Sequence, residues 1–472
     1  MVKDKNNLGQ GNIFNLVLKL SLPAIAAQII NLLYNIVDRM YIGHIPQTGK
    51  TALTGVGVTF PIIMLISAFS GLIGMGGAPQ AAIKMGKNDY SSAEKILGTC
   101  FGTIIVISVI LTASILLFEK PILMLFGGSE NTIGYAVDYL TIYALGTIFV
   151  QTVLGLNMFI TCQGFASTGM ATTLIGAVLN IILDPVFIYL LNMGVKGAAL
   201  ATVISQAVSC IWVLKFLTGK KTTLKIKKAN IIPDIKIALG VMSLGVSPFI
   251  MQSTESLITV CFNSSLQSYG GDIAVGAMTI LSSLMQFSNM PVMGLAQGCQ
   301  PIISFNFGAG NNDRVKKAFK ILLICSFTFT MLIWACAMFI PQVLISFFTS
   351  DTQFIETSKW ALRIYMASTG LFGIQLACQQ TFISLGQAKI SVFLAVLRKI
   401  ILLIPLIFIL PRIIPVSFAM NFIPSEIGTL FGFPSKVFAV FLAEPIADFG
   451  AVLCTSIMFK LNFKKILSIG AK

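Results

Sequence analysis

Twelve stretches of this chain are nearly unbroken apolar runs of about 20 residues or more, each long enough to cross the hydrocarbon of a bilayer. They fall at roughly 14–42, 52–82, 95–118, 134–161, 168–193, 196–216, 237–267, 273–304, 318–341, 354–384, 389–411 and 436–460. Inside lipid every backbone N–H and C=O must find a partner within the protein, so such runs fold as helices. The expected fold class is therefore an all-α integral membrane protein. Composition points the same way: only 10% of the 472 residues are charged, against about 25% in a soluble domain.

The formal net charge of +15 would suggest nucleic acid as a partner in a soluble chain. The positions of the bases argue otherwise. An even number of spans puts both termini on one side, and 22 of the 32 Lys and Arg lie there, including Lys3, Lys5, Lys215 to Lys236, Arg314 to Lys320 and Lys460 to Lys472. Six lie on the other side: Lys50, Lys120, Lys196, Lys359, Arg412 and Lys436. By the positive-inside rule both termini are cytoplasmic, and no nucleic-acid partner is expected. The first apolar stretch is long and lacks a cleavage-site pattern, so no cleavable signal peptide is expected. Nine cysteines occur singly, with no CxxC, and His44 is the lone histidine. Neither a His-based metal site nor a catalytic triad can be assembled, so no enzymatic activity and no resident cofactor are expected.

A basic connection at 217–236 divides the chain into two pieces that share a pattern. Gly74 to Gln80, Gly86-Lys-Asn-Asp89 and Ala93 to Leu97 in the first are answered by Gly294 to Gln300, Gly310-Asn-Asn-Asp313 and Ala318 to Leu322 in the second; Pro23 is answered by Pro248. The expected organisation is a first lobe over 1–216, a cytoplasmic linker over 217–236 and a second lobe over 237–472. Six spans per lobe give the copies the same orientation, related by a pseudo-two-fold axis along the membrane normal, with a central cleft between the two bundles. The glycine-rich Gly71 to Gly77 lacks a phosphate-loop ending and lies inside a span, so it is read as close helix packing or a hinge.

Five carboxylates lie within these apolar runs: Asp38, Asp184, Glu255, Glu444 and Asp448. A charge at the bilayer centre costs ~2.5 to 3.5 kcal/mol or more, so such residues point to function. On the first span Gln28, Asn31, Asn35 and Asp38 share one helical face, and Gln252, Ser256, Thr259 and Asn263 repeat the stripe on the seventh, beside Glu255. Counting ~1.5 Å of rise per residue from the outer ends places Asp38, Asp184, Thr202, Tyr139 and Tyr143 together in the outer half of the first bundle. Asn180 is one turn from Asp184 on the same face, and Pro185 frees the carbonyl of Ile181. Two acids sharing a low-dielectric site repel when both are ionised. A proton or a sodium ion at Asp38, Asn180, Asp184 and Thr202 would relieve that repulsion, and both remain open. In the second half, depth pairs Arg363 with Glu444 and Arg398 with Asp448. Glu255 has no evident basic partner and is a natural counter-ion for a cationic substrate. Candidate substrate-lining groups are Glu255, Gln252, Gln286, Met290, Asn35 and Gln206, with Met285 and Met293 adding an adaptable surface.

The runs Leu179 to Tyr189 and Gly194 to Gln206, with Gln300 to Gly308 followed by Arg314-Val-Lys, strongly resemble helices of the multidrug and toxic compound extrusion (MATE) family. Tyr34 to Gly43 and Glu444 to Asp448 fit its ends, particularly in the DinF-like bacterial branch of this family of the MOP flippase superfamily. The resemblance covers nearly the whole chain. It implies a twelve-helix, two-lobed exporter in the bacterial cell membrane that uses Na⁺ or H⁺ influx to expel amphipathic, often cationic drugs. It further implies that the family's cation site maps onto Asp38, Asn180, Asp184 and Thr202, with Tyr139 beside it. A monomer is expected. The alternative is a lipid or lipid-linked oligosaccharide flippase of the same superfamily, which should show a strongly cationic cleft. The stretch 411–435 is longer and more proline-rich than the family's usual connection before the last helix.

Overall fold

A computed structural model describes residues 8–470. Lys3, Lys5 and Lys472, counted above for topology, lie outside the described residues. In chain order the α-helices are α1 (Ile13–Gly43), α2 (Gly49–Gly86), α3 (Tyr90–Leu125), α4 (Ile133–Leu145), α5 (Thr147–Cys162), α6 (Ala166–Pro185), α7 (Gly194–Thr218), α8 (Ile235–Gly308) and α9 (Asn312–Phe339). There follow α10 (Pro341–Ser346), α11 (Thr352–Tyr365), α12 (Thr369–Ser384), α13 (Ala388–Val396), α14 (Ile404–Ile413), α15 (Val416–Met420), α16 (Ser425–Gly428) and α17 (Pro434–Gly470).

These helices make up the twelve expected spans once their breaks are considered. Nine helices among the described residues are individually long and apolar enough to cross a membrane, the segment 388–413 being taken as one, and α4 and α5 form a tenth span bent by 58°. The 74-residue α8 is counted once there, yet a straight helix of that length would be ~110 Å long and could not fit a hydrocarbon layer of ~30 Å. It breaks at Gly271, whose φ of 63° and ψ of −159° suit a residue without a Cβ. Both of its arms return to the same end of α2: Gly76 lies against the Val241 carbonyl and Gly86 against the Phe305 carbonyl. α11 and α12, interrupted around Met366 to Ser368, complete the set.

Helix starts follow from local chemistry. The side chains of Asn12, Asp89 and Asp234 accept hydrogen bonds from the backbone N–H groups of Phe14 (2.8 Å), Ser92 (3.1 Å) and Lys236 (3.0 Å), satisfying donors that the first helical turn leaves free. The positive-φ Asn88 precedes one of these caps.

The apolar interior divides unevenly along the bundle. At the end carrying both chain termini one continuous core draws on both halves of the sequence, including Leu20, Met85, Ile160 and Leu217 from the first and Val241, Ile303, Phe382 and Phe459 from the second. At the opposite end each half has its own core, with Ile42, Ile66, Leu140 and Val195 in one and Phe262, Leu281, Tyr365 and Phe441 in the other. The halves are thus joined at one end and separate at the other.

Glycines make the joined end possible. A Cβ on Gly86 would strike the Phe305 carbonyl and one on Gly308 would strike that of Ile83, a reciprocal crossing of α2 and the second arm of α8. Gly245 meets the Leu72 carbonyl, and Gly294 and Gly298 meet the backbones of Ile25 and Ser21 on α1. Such small residues let helix backbones approach closely where no hydrophobic force drives helix association in lipid. A second tie crosses the halves at the same end: Arg314, at the start of α9, donates to the carbonyls of Gly11 (2.8 Å), Gln10 (3.0 Å) and Leu8 (3.4 Å) and to Asn306 Oδ1 (3.0 Å).

Residues 217–236 are docked on the first half rather than hanging free. Gln163 Oε1 accepts from Thr222 Oγ1 (2.9 Å), Thr223 N (2.8 Å) and Leu224 N (2.8 Å). Lys227 pairs with Glu94, and Lys95 with Asp234 at 2.9 Å. Residues 411–435 form a folded cover at the other end, with Ile423, Ile427 and Phe431 in the second half's own core and the Phe422 carbonyl bonded by Trp360 Nε1 at 2.8 Å.

Candidate functional site

In the first half, α6 places Asn180 and Asp184 one turn apart, and both are buried. Asn180 Nδ2 donates to Asp184 Oδ1 (3.1 Å) and to Thr202 Oγ1 on α7 (3.3 Å). The Asp38 carboxyl, on α1, lies against that of Asp184, and Tyr139 on α4 reaches Thr202. Three buried oxygens of this group, Asp38 Oδ1, Asn180 Oδ1 and Asp184 Oδ2, have no hydrogen-bond partner. Ionised carboxylates are acceptors only, so two of them in contact need a proton or a cation between them. The three oxygens and the Thr202 hydroxyl suit either occupant, being hard donors.

Two features hold the acids in register. α6 ends at Pro185 and passes into a π-helical turn, Val186–Leu190, of the kind that often sits at functional sites. Tyr189 in that turn donates its hydroxyl to the Tyr41 carbonyl on α1 at 2.7 Å, fixing the end of α6 beside Asp38's helix. The bend at Gly146 brings α4 across α7, with Tyr139 and Tyr143 stacked at 6.1 Å. Tyr34, one turn before Asp38, also faces the acids. Sequence reasoning missed Tyr34, Tyr41 and Tyr189; Tyr34 was legible from its i−4 spacing to Asp38.

The sequence-predicted substrate groups are spread along the walls. Gln28 Nε2 bonds Gln297 Oε1 across the halves at 3.1 Å, while Asn35 turns back to the Asn31 carbonyl of its own helix at 2.6 Å. Gln252 faces Gly71 on α2. Gln206, one turn past Thr202, has a buried Oε1 without a partner and so extends the acid site. Gln286 is exposed and Met290 half-buried. Met285 does not line a pocket: it packs in the second half's core, with its sulfur near Thr369 Oγ1 at 4.0 Å.

The charged groups of the second half require two corrections. Arg363 does not pair with Glu444. It is exposed and donates from Nε to the Met338 carbonyl at 3.1 Å, because α11 ends just beyond it and depth counted along a straight span does not apply. Arg398 instead holds both acids, Asp448 Oδ1 at 2.6 Å and Glu444 Oε1 at 3.1 Å, with its guanidinium over the Phe372 ring. The second correction concerns Glu255, which does have a basic partner: Lys399 Nζ lies 2.6 Å from its Oε1. Arg398 and Lys399 share a π-helical turn, Leu397–Leu403, and both are buried.

Two halves of apolar helices, fused at one end and carrying acids within their spans, define a polytopic helical membrane protein with ionisable groups held at depth. The family model described as MatE matches residues 23–186 and again 248–409, so this chain belongs to the MatE family. A curated relative, "Multidrug export protein MepA" of Staphylococcus haemolyticus (strain JCSC1435), is 25% identical over 443 residues, covering 94% of this chain and 93% of the relative. The solved structure described as "Crystal structure of MATE in the bent conformation" superposes with a TM-score of 0.88 at 20% identity, covering 100% of this chain and 99% of the other. A second, "Outward-facing conformation of a multidrug resistance MATE family transporter of the MOP superfamily", gives 0.86 at 20% identity with 98% coverage of both chains. These likenesses fix the fold as that of the MATE transporters.

Proposed function

We propose that this protein exports amphipathic, often cationic organic compounds across the bacterial cell membrane in exchange for Na⁺ or H⁺, by alternating access, as a monomer with both termini cytoplasmic. The observation that carries the coupling is the contact between the Asp38 and Asp184 carboxyls beside three buried oxygens that lack partners. An ion taken up there is favoured by the acids and released when their surroundings change. The names of the relatives support export of several drugs, and the core shared by both halves only at the terminal end supports a state open to the outside. One charge crossing ~150 mV releases about 3.5 kcal/mol, sufficient for a roughly 300-fold gradient of a neutral substrate.

The test is ethidium efflux in everted vesicles, with Na⁺ and pH gradients imposed separately. Efflux driven by one gradient identifies the ion, and Asp38→Asn or Asp184→Asn should abolish it while the protein still inserts. Normal efflux in both variants would defeat the site assignment. Lipid flipping in the same vesicles without drug efflux would favour the flippase alternative.

A further inference from the structure

Lys399 occupies the position that an arriving organic cation would take. Its side chain is 5% exposed, whereas that of Glu255, its partner at 2.6 Å, is 54% exposed. Glu255 lies beside the polar stripe of α8 that holds Ser256 and Thr259, and a stripe of this kind is stable against the cleft but not against lipid. The carboxylate at the wall is therefore already neutralised from behind by an ammonium that the protein itself supplies. Behind the wall Arg398 pairs with both Glu444 and Asp448, so its single positive charge is already engaged by two acids and Lys399 is the base left to Glu255. What the cleft presents at this level is a closed ion pair rather than a free anion.

We propose that Lys399 is a specificity-determining residue: a tethered cation that masks Glu255, tempering the preference of the cleft for organic cations so that neutral and weakly charged compounds are also accepted. This deepens the reading of the cleft as a path for organic compounds and rests on it. Removing the ammonium bares the carboxylate to the cleft. Removing the carboxylate leaves the ammonium there alone. The two changes must then shift selectivity in opposite directions, and removing both must return it close to the starting point.

The experiment is equilibrium binding of tetraphenylphosphonium and of its isosteric anion tetraphenylborate to the purified, full-length protein in detergent, with no ion gradient. Comparison among variants cancels the partitioning of each probe into micelles. Lys399→Met should tighten tetraphenylphosphonium by about tenfold and weaken tetraphenylborate. Glu255→Gln should do the reverse, Glu255→Gln/Lys399→Met should lie within a few fold of the wild type, and Lys399→Arg, which keeps the charge, should bind as the wild type does. A merely structural lysine would move both probes together. Equal changes for the two probes, or unchanged tetraphenylphosphonium binding in Lys399→Met, would overturn the proposal. Because no gradient is used, failure of ion-coupled export in vesicles leaves this result standing, and the converse also holds.

Discussion

At the scale of single residues, the decisive groups are those whose polar atoms are buried without full partners. Asp184 is buried with one donor, the Asn180 amide, and that amide also serves Thr202. Asn180→Leu should leave a buried acid without its donor, costing about 1–3 kcal/mol of site stability, and coupled efflux in vesicles should fall ~10-fold or more. Arg398 differs in that one guanidinium pairs with two buried acids, while Asp448 Oδ2 is still left without a partner. Arg398→Met should lower stability by about 3–5 kcal/mol, read as a drop in unfolding temperature in detergent. Arg398→Met/Glu444→Gln/Asp448→Asn should recover much of that loss, because no uncompensated charge remains. The first site was legible because Asn180 and Asp184 stand one turn apart and Pro185 marks the helix end. The second was legible only in part. Depth counting found Arg398 with Asp448 but treated interrupted spans as straight, which misplaced Arg363 and passed over Lys399 next to Arg398.

At the scale of elements, the glycine-rich helices and the strap over residues 219–236 carry the argument. Gly308→Val should hold α2 and the second arm of α8 apart, because the new side chain meets the Ile83 backbone; efflux should fall and protease access at the terminal end should rise. The strap is fixed partly by Asp234, which caps α8 and pairs with Lys95. The Lys95 hydrogen bond, followed by the backbone donors of the cap, holds this exposed carboxyl below its ordinary range. A carboxyl lowered in the folded protein stabilises above its unfolded value of about 3.9 and loses that effect as pH falls through the lower, folded value. Amide protection in residues 219–236, taken relative to the unprotected rate at each pH, should therefore be high at neutral pH and fall several-fold below pH ~4, less so in Asp234→Asn. Helix existence was readable from the apolar runs, and of the two readings given to Gly71 to Gly77, packing or a hinge, the close approaches at Gly74, Gly76 and Gly77 agree with packing. The strap was not readable, since its attachment depends on Gln163, a residue with no sequence signal for three long-range bonds.

At the scale of the whole molecule, the shared core at one end and the separate cores at the other are what one arm of the proposed alternating cycle requires. Gln28 and Gln297 bridge the halves at 3.1 Å. Joining cysteines at these positions with a short reducible cross-linker, in a background lacking the native cysteines, should arrest efflux and release it on reduction. Full efflux by the cross-linked protein would mean that this end never parts. The tie from Arg314 to the carbonyls of residues 8, 10 and 11 should part in the same motion.

Where the halves meet, much of the fit is main chain against main chain at Gly86, Gly245, Gly298 and Gly308. Long side chains lose rotamer freedom of up to about 2 kcal/mol each when they are immobilised, whereas glycine has none to lose. In the proposed alternation, a seam made this way can part and re-form without ordering long side chains anew each time.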